Sequence, residues 1–124
     1  MYPDADLTNV IIESAIEVHR HLGPGLLESV YEHCLCHEFE VKNIPYERQK
    51  ALPVTYKGLD LDCGYRIDVV VFGKIVLELK SVDVLLAIHE AQLLTYLKLS
   101  GLKTGLLINF NSRLLKDGIK RMVV

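Results

Sequence analysis

Two short apolar segments that meet at Gly73 constrain the fold more than any other feature of this chain. The stretch from Arg66 to Lys80 reads RIDVVVFGKIVLELK, and Val, Ile and Leu dominate both of its halves. Such composition is typical of β-strands, and a glycine between two strand-like runs favours a tight turn. We therefore expect an antiparallel hairpin that is symmetric about Gly73.

The symmetry of this hairpin predicts a cluster of charge on one face. Asp68 lies five residues before Gly73 and Glu78 five residues after it, so the two pair directly, and Lys80 is the diagonal neighbour. Because side chains alternate between the faces of a strand, these three share a face. The opposite face is expected to carry only aliphatic side chains: Ile67, Val69, Val71, Ile75, Leu77 and Leu79.

Two facing carboxylates favour a bound cation. Like charges placed opposite each other destabilise a sheet unless something compensates them, and Mg²⁺ or Mn²⁺ takes oxygen ligands of this kind. Lys80 could orient or help deprotonate an attacking water, or neutralise charge that develops on a phosphorus centre. The alternative is an ordinary salt bridge from Lys80 to Glu78 or Asp68 within a sheet.

Periodicity and turn residues predict the elements around the hairpin. Apolar spacing of three and four residues indicates helices over 7–22, 26–42 and 84–99, and short apolar runs indicate strands over 53–57, 65–72, 75–80 and 104–110. The last of these strands is expected to be buried on both faces and to run parallel to its neighbour after a helical crossover. Residues 119–124 fit either a strand or a short helix. The buried stripe of the second helix is expected to contain Leu27, Val30, Tyr31, Leu35 and Phe39.

Length and charge indicate one domain with an uneven charge distribution. The chain has 124 residues and a net charge of −2, a size typical of a single domain. The first 50 residues carry 4 Lys and Arg against 9 Asp and Glu, whereas residues 51–124 carry 10 against 7. The second half is thus the better candidate to face phosphates. Its basic end contains Arg113, Lys116, Lys120 and Arg121, which fit a solvated terminus equally well.

Cysteine count and hydropathy predict a cytoplasmic protein. Cys34, Cys36 and Cys63 form no CxxC pair, and their odd number argues against a disulfide framework. No apolar run approaches the length of a membrane span, and the first residues do not resemble a signal peptide. His33 and His37 imitate metal-ligand spacing, but without a second ligand pair we interpret them as surface residues.

Two helix motifs accompany the hairpin. Residues 25–31 read GLLESVY, so Glu28 and Tyr31 share a helix face, and residues 92–96 read QLLTY, so Gln92 and Tyr96 share another. From spacing alone, Glu28 fits a first-turn residue stabilised by the helix dipole as well as a functional acid. Gln92 and Tyr96 fit a buried hydrogen-bonding pair nearly as well as a functional one.

Together these motifs resemble the PD-(D/E)XK nuclease superfamily. Asp68 followed by Glu78-Leu-Lys80 is similar to its D…(D/E)xK signature, Gly25 to Tyr31 matches the pattern of the GxxExxY family within it, and Gln92 to Tyr96 matches its QxxxY motif. The resemblance covers the chain from Leu7 to the C-terminus. Ile67 stands where the superfamily's leading Pro-Asp pair has proline.

The resemblance implies an α/β fold with a restriction-endonuclease-like core, in which helices flank a mixed central β-sheet. It also implies a Mg²⁺-dependent or Mn²⁺-dependent nuclease that hydrolyses phosphodiester bonds in DNA, with RNA left open. Asp68, Glu78 and Glu28 would bind the metal, Lys80 would assist the water, and Gln92 and Tyr96 would support the site. A homodimer is one way for so small a nuclease to gain surface, with Met122–Val124 and the first helix as candidate interfaces.

A binding module on the same fold is the main alternative. The acidic balance weakens nonspecific binding to a duplex, which depends on Lys and Arg at phosphates. A catalytically silent module that binds nucleic acid or protein would fit this balance. A phosphatase of small phosphomonoesters is a third, weaker hypothesis.

Overall fold

Helices and strands alternate along the chain. A computed structural model describes residues 2–62 and 64–124. The helices in this part of the chain are α1 (Ala5–Leu22), α2 (Glu28–Val41) and α3 (Ala87–Ser100). The strands are β1 (Tyr46–Ala51), β2 (Val54–Tyr56), β3 (Leu59–Leu61), β4 (Arg66–Val71), β5 (Ile75–Lys80), β6 (Thr104–Asn109) and β7 (Ile119–Val123), and a short 3-10 helix (Leu115–Gly118) precedes β7.

A mixed five-stranded sheet organises the fold. Its strand order is β1-β4-β5-β6-β7, with β5 and β6 parallel and the other pairs antiparallel. Helix α3 connects the two parallel strands, as a parallel pair requires. Every residue of β6 is buried. The expected parallel, doubly buried strand is therefore confirmed.

Helices cover both faces of the sheet. One apolar cluster joins α1 and α2 to the face of the sheet that carries Val69, Leu77 and Leu106, and a second joins α3 to Val70 and Val76 on the other face. The largest side chains of the first cluster include Tyr31 and Phe39 from α2 and Phe110, which follows β6. This architecture confirms the predicted α/β class with a mixed central sheet between helices.

Strands β1 and β3 have no counterpart in the sequence prediction. Strand β1 is an edge strand with the polar sequence YERQKA, and its residues after Tyr46 are exposed, so hydropathy carries no signal for it. The segment predicted at 53–57 is a strand, but it pairs only with β3 and forms a separate two-stranded sheet. The C-terminal segment, which fitted a strand or a helix, is strand β7.

The buried stripe of α2 differs from the prediction. Leu27 and Val30 are 73% and 37% exposed, whereas Glu32 is only 6% exposed. Leu27 is exposed because α2 begins after it, at Glu28. Glu32 can be buried because two side chains of β1 donate hydrogen bonds to its carboxylate.

The histidine and cysteine predictions fall on α2 and on one residue outside the described part. His33 and His37 are exposed, which confirms them as surface residues. Burial raises the pKa of the Cys36 thiol to about 12, so this cysteine stays protonated. Cys63 and Met1 lie outside the described residues.

Within residues 2–62 and 64–124, none of the helices combines the length and apolarity that a membrane crossing needs.

Candidate active site

The hairpin has the register that the sequence predicts. Val69 pairs with Leu77, Val70 with Val76 and Val71 with Ile75, which is symmetry about Gly73. Phe72 and Gly73 have φ angles of 58° and 65°. Left-handed conformations at both turn residues match the right-handed twist of the flanking strands. The turn thus sets Asp68 across from Glu78.

The sheet ladder opens at Asp68. Strand β1 pairs Arg48 with Val69 and Lys50 with Ile67, and it skips Gln49 and Asp68, which lie between them. Gln49 has a φ of 50°, an uncommon left-handed value for a residue with a side chain. The predicted alternation is wrong at Ile67, which packs with Val70 on the α3 side and not with Val69.

The carboxylates of Asp68 and Glu78 each accept a hydrogen bond from the backbone of the opposite hairpin strand. The Asp68 backbone N–H donates to Glu78 Oε1 at 3.3 Å, and the Leu79 backbone N–H donates to Asp68 Oδ2 at 2.8 Å. Glu78 is only 4% exposed and Asp68 is half-buried. Each carboxylate therefore occupies the place of a ladder hydrogen bond, and the pair is held by the backbone of both strands.

Burial raises the pKa of both acids in this carboxylate pair. Burial, with the neighbouring Asp68 charge as the second cause, raises the pKa of Glu78 to about 8. Burial also raises the pKa of Asp68, although the hydrogen bond from the Leu79 backbone opposes this. The pair is thus short of positive charge, which is the condition that a cation would relieve.

Lys80 supplies part of that missing charge. Its side chain is half-buried at the end of β5, and its positive charge lowers the pKa of both Asp68 and Glu78 without outweighing burial. The Phe110 backbone N–H donates to the Lys80 carbonyl at 2.8 Å, which fixes the backbone of Lys80 against the end of β6. The structure therefore brings together the three charged residues of the predicted face.

The segment after Lys80 is anchored to two neighbours. Asn109, at the end of β6, accepts a hydrogen bond from the Val82 N–H at 3.1 Å and donates one to the Val82 carbonyl at 2.9 Å. Ser81 Oγ donates to the Leu26 carbonyl at 2.6 Å. These bonds place the loop that precedes α2 beside the end of β5.

Tyr31 of the GxxExxY pattern has a structural role. Its hydroxyl donates to the Gly23 carbonyl at 2.6 Å and accepts from the Leu26 N–H at 3.1 Å, and its ring stacks on Phe110 at 4.5 Å. Gly25, within the loop so closed, has a φ of 98°, which favours glycine. Glu28, by contrast, is exposed at the first residue of α2.

Gln92 and Tyr96 form a hydrogen-bonded pair on α3. Gln92 Nε2 donates to the Tyr96 hydroxyl oxygen at 2.9 Å. Burial raises the pKa of Tyr96, and the charges of Glu78 and Asp68 add to this effect. Tyr96 consequently lies within electrostatic range of the carboxylate pair, on the face of the sheet that α3 covers.

Sequence reasoning missed Glu32, a second buried acid beside the site. Its carboxylate accepts hydrogen bonds from Arg48 at 2.8 and 3.2 Å and from Gln49 at 2.7 Å, and its charge contributes to the raised pKa of Asp68. The one signal in the sequence was its position four residues after Glu28 on the same helix face. Without strand β1 in the prediction, however, no partner for a buried Glu32 was visible.

The donor set suits a hard divalent cation. Mg²⁺ commonly binds through one or two carboxylates and keeps several waters, and Asp68 with Glu78 offers such a pair. Across residues 2–62 and 64–124, no three His, Cys, Asp or Glu side chains are grouped so that they could hold a metal. Glu28 is therefore not brought together with the carboxylate pair as a ready third ligand.

The comparisons with known proteins agree with this geometry. A family model of the PD-(D/E)XK nuclease superfamily matches residues 5–122, so the chain belongs to that superfamily. Nucleases of this superfamily typically use divalent metal ions. Comparison with curated proteins gave no significant match, and neither did comparison with solved structures. The finer assignment to the GxxExxY family stays a prediction.

Proposed function

We propose that this protein is a Mg²⁺-dependent nuclease that hydrolyses phosphodiester bonds in DNA, with RNA as the second substrate class to test. The observation that carries the proposal is the buried carboxylate pair Asp68 and Glu78, which the chain leaves without full compensation of charge. A structural ion pair would pair these acids internally, whereas here Lys80 offsets only part of their charge. Membership of the nuclease superfamily supports the same conclusion.

Asp68 and Glu78 would hold the metal. Both are fixed by backbone hydrogen bonds from the opposite strand, so their oxygens are already positioned before a cation arrives. When bound, a divalent cation polarises the phosphate and lowers the pKa of an attacking water. Mg²⁺ and Mn²⁺ both fit this oxygen donor set.

Lys80, Gln92 and Tyr96 would complete the reaction site. Lys80 orients the attacking water and neutralises negative charge that develops on the phosphate oxygens in the transition state. Gln92 holds the Tyr96 hydroxyl at 2.9 Å, so Tyr96 presents a fixed group to the same site. Glu28 is the exposed acid nearest in sequence to the loop that Ser81 anchors. We assign it a smaller contribution to the cleavage rate than that of Asp68 and Glu78.

Cleavage assays on matched variants test the proposal. Labelled linear, single-stranded and branched DNA and RNA are incubated with Mg²⁺, Mn²⁺ or EDTA, with wild type, Asp68→Asn and Lys80→Gln in parallel. Asp117→Asn is the control because Asp117 is an exposed acid on the short 3-10 helix. We expect metal-dependent cleavage that Asp68→Asn and Lys80→Gln lose and Asp117→Asn retains.

The same assay separates the proposal from a binding module. Full metal-dependent cleavage by Asp68→Asn would contradict the assignment. If wild type cuts none of the substrates and calorimetry detects no Mg²⁺ binding that depends on Asp68 and Glu78, the catalytically silent module becomes the better account.

A homodimer stays a prediction. Strand β7 lies at a sheet edge, where an unpaired backbone can accept a second copy, and Val123 and the residue after it, Val124, are 42% and 45% exposed. Sedimentation at micromolar protein tests it, and a monomer mass would remove it.

A further inference from the structure

An uncharged groove lies between α3 and the segment that leads from β2 to β4. It encloses about 500 Å³ and is lined by Tyr65, Gln92, Thr95 and Tyr96, together with aliphatic side chains that include Val54 and Ile88. None of the lining side chains carries a charge. The groove therefore suits a neutral, flat or apolar group and not a phosphate.

Two tyrosines give the groove an aromatic wall. The rings of Tyr65 and Tyr96 lie 6.3 Å apart with an interplanar angle of 60°. Tyr96 is buried, whereas Tyr65 is 48% exposed and Ile88 on the facing helix is 68% exposed. An exposed aromatic ring opposite an exposed aliphatic side chain can hold a planar group between them.

The groove shares two residues with the proposed reaction site. Gln92 and Tyr96 line it, and the charges of Glu78 and Asp68 reach Tyr96 strongly enough to contribute to its raised pKa. Tyr65 is separated from Asp68 by only Arg66 and Ile67, and Arg66 is exposed. A nucleotide whose phosphate lies at the carboxylates would have its base within reach of this groove.

We propose that the groove binds one unpaired nucleobase next to the scissile phosphate, stacked on Tyr65. This inference rests on the proposed nuclease function and sharpens it to a substrate class, because a base within a duplex has both faces covered by its neighbours and cannot enter. The preferred substrate is therefore single-stranded nucleic acid or a frayed end. Stacking of this kind tolerates any sequence because every base has a π face.

Binding without hydrolysis tests the groove directly. The probe is a single-stranded oligonucleotide that carries 2-aminopurine, whose fluorescence falls when it stacks on an aromatic ring, and EDTA prevents cleavage. We expect quenching with wild type and with Tyr65→Phe, and loss of quenching with about tenfold weaker binding for Tyr65→Ala, since the base would lose its aromatic stacking partner. Tyr56→Ala is the control, because Tyr56 is 60% exposed on β2 but does not line the groove.

The outcomes separate this inference from the proposed function. If wild type cleaves with Mg²⁺ but Tyr65→Ala binds and quenches like wild type, the groove proposal is wrong and the nuclease proposal stands. Quenching that depends on Tyr65, in a protein that cleaves nothing, supports the groove and overturns the nuclease. A dimer that Ile88→Asp dissociates without any change in oligonucleotide affinity would assign the groove to a second copy of the chain and overturn the base-binding proposal.

Discussion

Two acids of this chain are buried to the same degree in opposite circumstances. Glu32 is 6% exposed, and it accepts two hydrogen bonds from Arg48 and one from Gln49. Glu78 is 4% exposed, but it faces Asp68 and accepts a single backbone hydrogen bond at 3.3 Å. One buried acid has a cation of its own, and the other has a second acid.

The partners of a buried acid distinguish a structural role from a functional one. A buried charge is tolerated when it is paired and hydrogen-bonded, as Glu32 is. Where the chain omits such a partner, the acid holds a proton instead, and burial raises the pKa of Glu78 to about 8. An acid kept in this state within an otherwise well-packed sheet lowers stability, so a retained unpaired acid is a functional candidate.

Neutralising the unpaired acid should remove most of the cleavage activity. Glu78→Gln should reduce the cleavage rate about 10³-fold or more, because a metal ligand contributes several kcal/mol of transition-state stabilisation. The same change should raise the free energy of unfolding at pH 8 by about 2 kcal/mol, since at this pH it removes a buried carboxyl group that is partly ionised. Single-turnover kinetics and urea denaturation measure the two effects. A variant that loses stability as well as activity would contradict the conclusion that the unpaired Glu78 lowers stability.

The paired acid should respond in the opposite sense. Arg48→Met leaves the Glu32 carboxylate buried with only Gln49, and we expect a loss of about 3 kcal/mol in the free energy of unfolding. Lys50→Met is the matched control, because Lys50 makes an exposed pair with Glu47 at 3.2 Å and such pairs contribute under about 1 kcal/mol. Urea denaturation gives both values. Equal losses in the two variants would mean that the buried pair contributes no more than a surface one.

The pH dependence of stability tests whether Glu78 holds a proton in the folded protein. In the unfolded chain Glu78 ionises near the ordinary glutamate pKa of 4.5, and in the folded protein its pKa is about 8, so between these values the folded state holds the extra proton. Stability should therefore fall as pH rises through this window, by at most about 1.4 kcal/mol per pH unit for one group. The raised pKa of Asp68 acts in the same direction.

Denaturation of the metal-free protein at several pH values from 5 to 8 measures this slope. Glu78→Gln serves as the reference, because the difference between the two curves isolates the pair from other titrating groups. If the stability of wild type minus that of Glu78→Gln is flat or rises with pH, Glu78 ionises normally in the folded protein.

Hydrophobic patterning predicted the parts of the fold that are buried. The register of β4 and β5 followed from the symmetry around Gly73, and the parallel strand β6 followed from its continuous apolar run. Strand β1 escaped because it lies at the sheet edge with exposed polar residues. Hydrophobic patterning detects a strand through the face that it buries, and β1 buries little of its surface.

The site was predictable to the extent that it lies on regular strands. Asp68, Glu78 and Lys80 converge as alternation requires, but the alternation fails at Ile67, where the ladder opens beside Gln49. No sequence rule identified a left-handed residue at Gln49 within a strand. The partner of Glu32 likewise depends on that unpredicted strand, so the structural acid was harder to find than the candidate catalytic ones.

Glu28→Gln should have a smaller effect than the substitutions above, because Glu28 is exposed whereas Glu32 and Glu78 are buried. Glu28→Gln should change the free energy of unfolding by no more than about 0.5 kcal/mol, as an exposed substitution does. Its cleavage rate should fall by about tenfold or less, a change of about 1.4 kcal/mol in activation free energy. Glu13→Gln, an exposed acid on α1, is the control and should cleave like wild type. A loss as large as that of Glu78→Gln would instead make Glu28 a full metal ligand, and it would mean that the loop tied to Ser81 moves toward the carboxylate pair when metal and substrate bind.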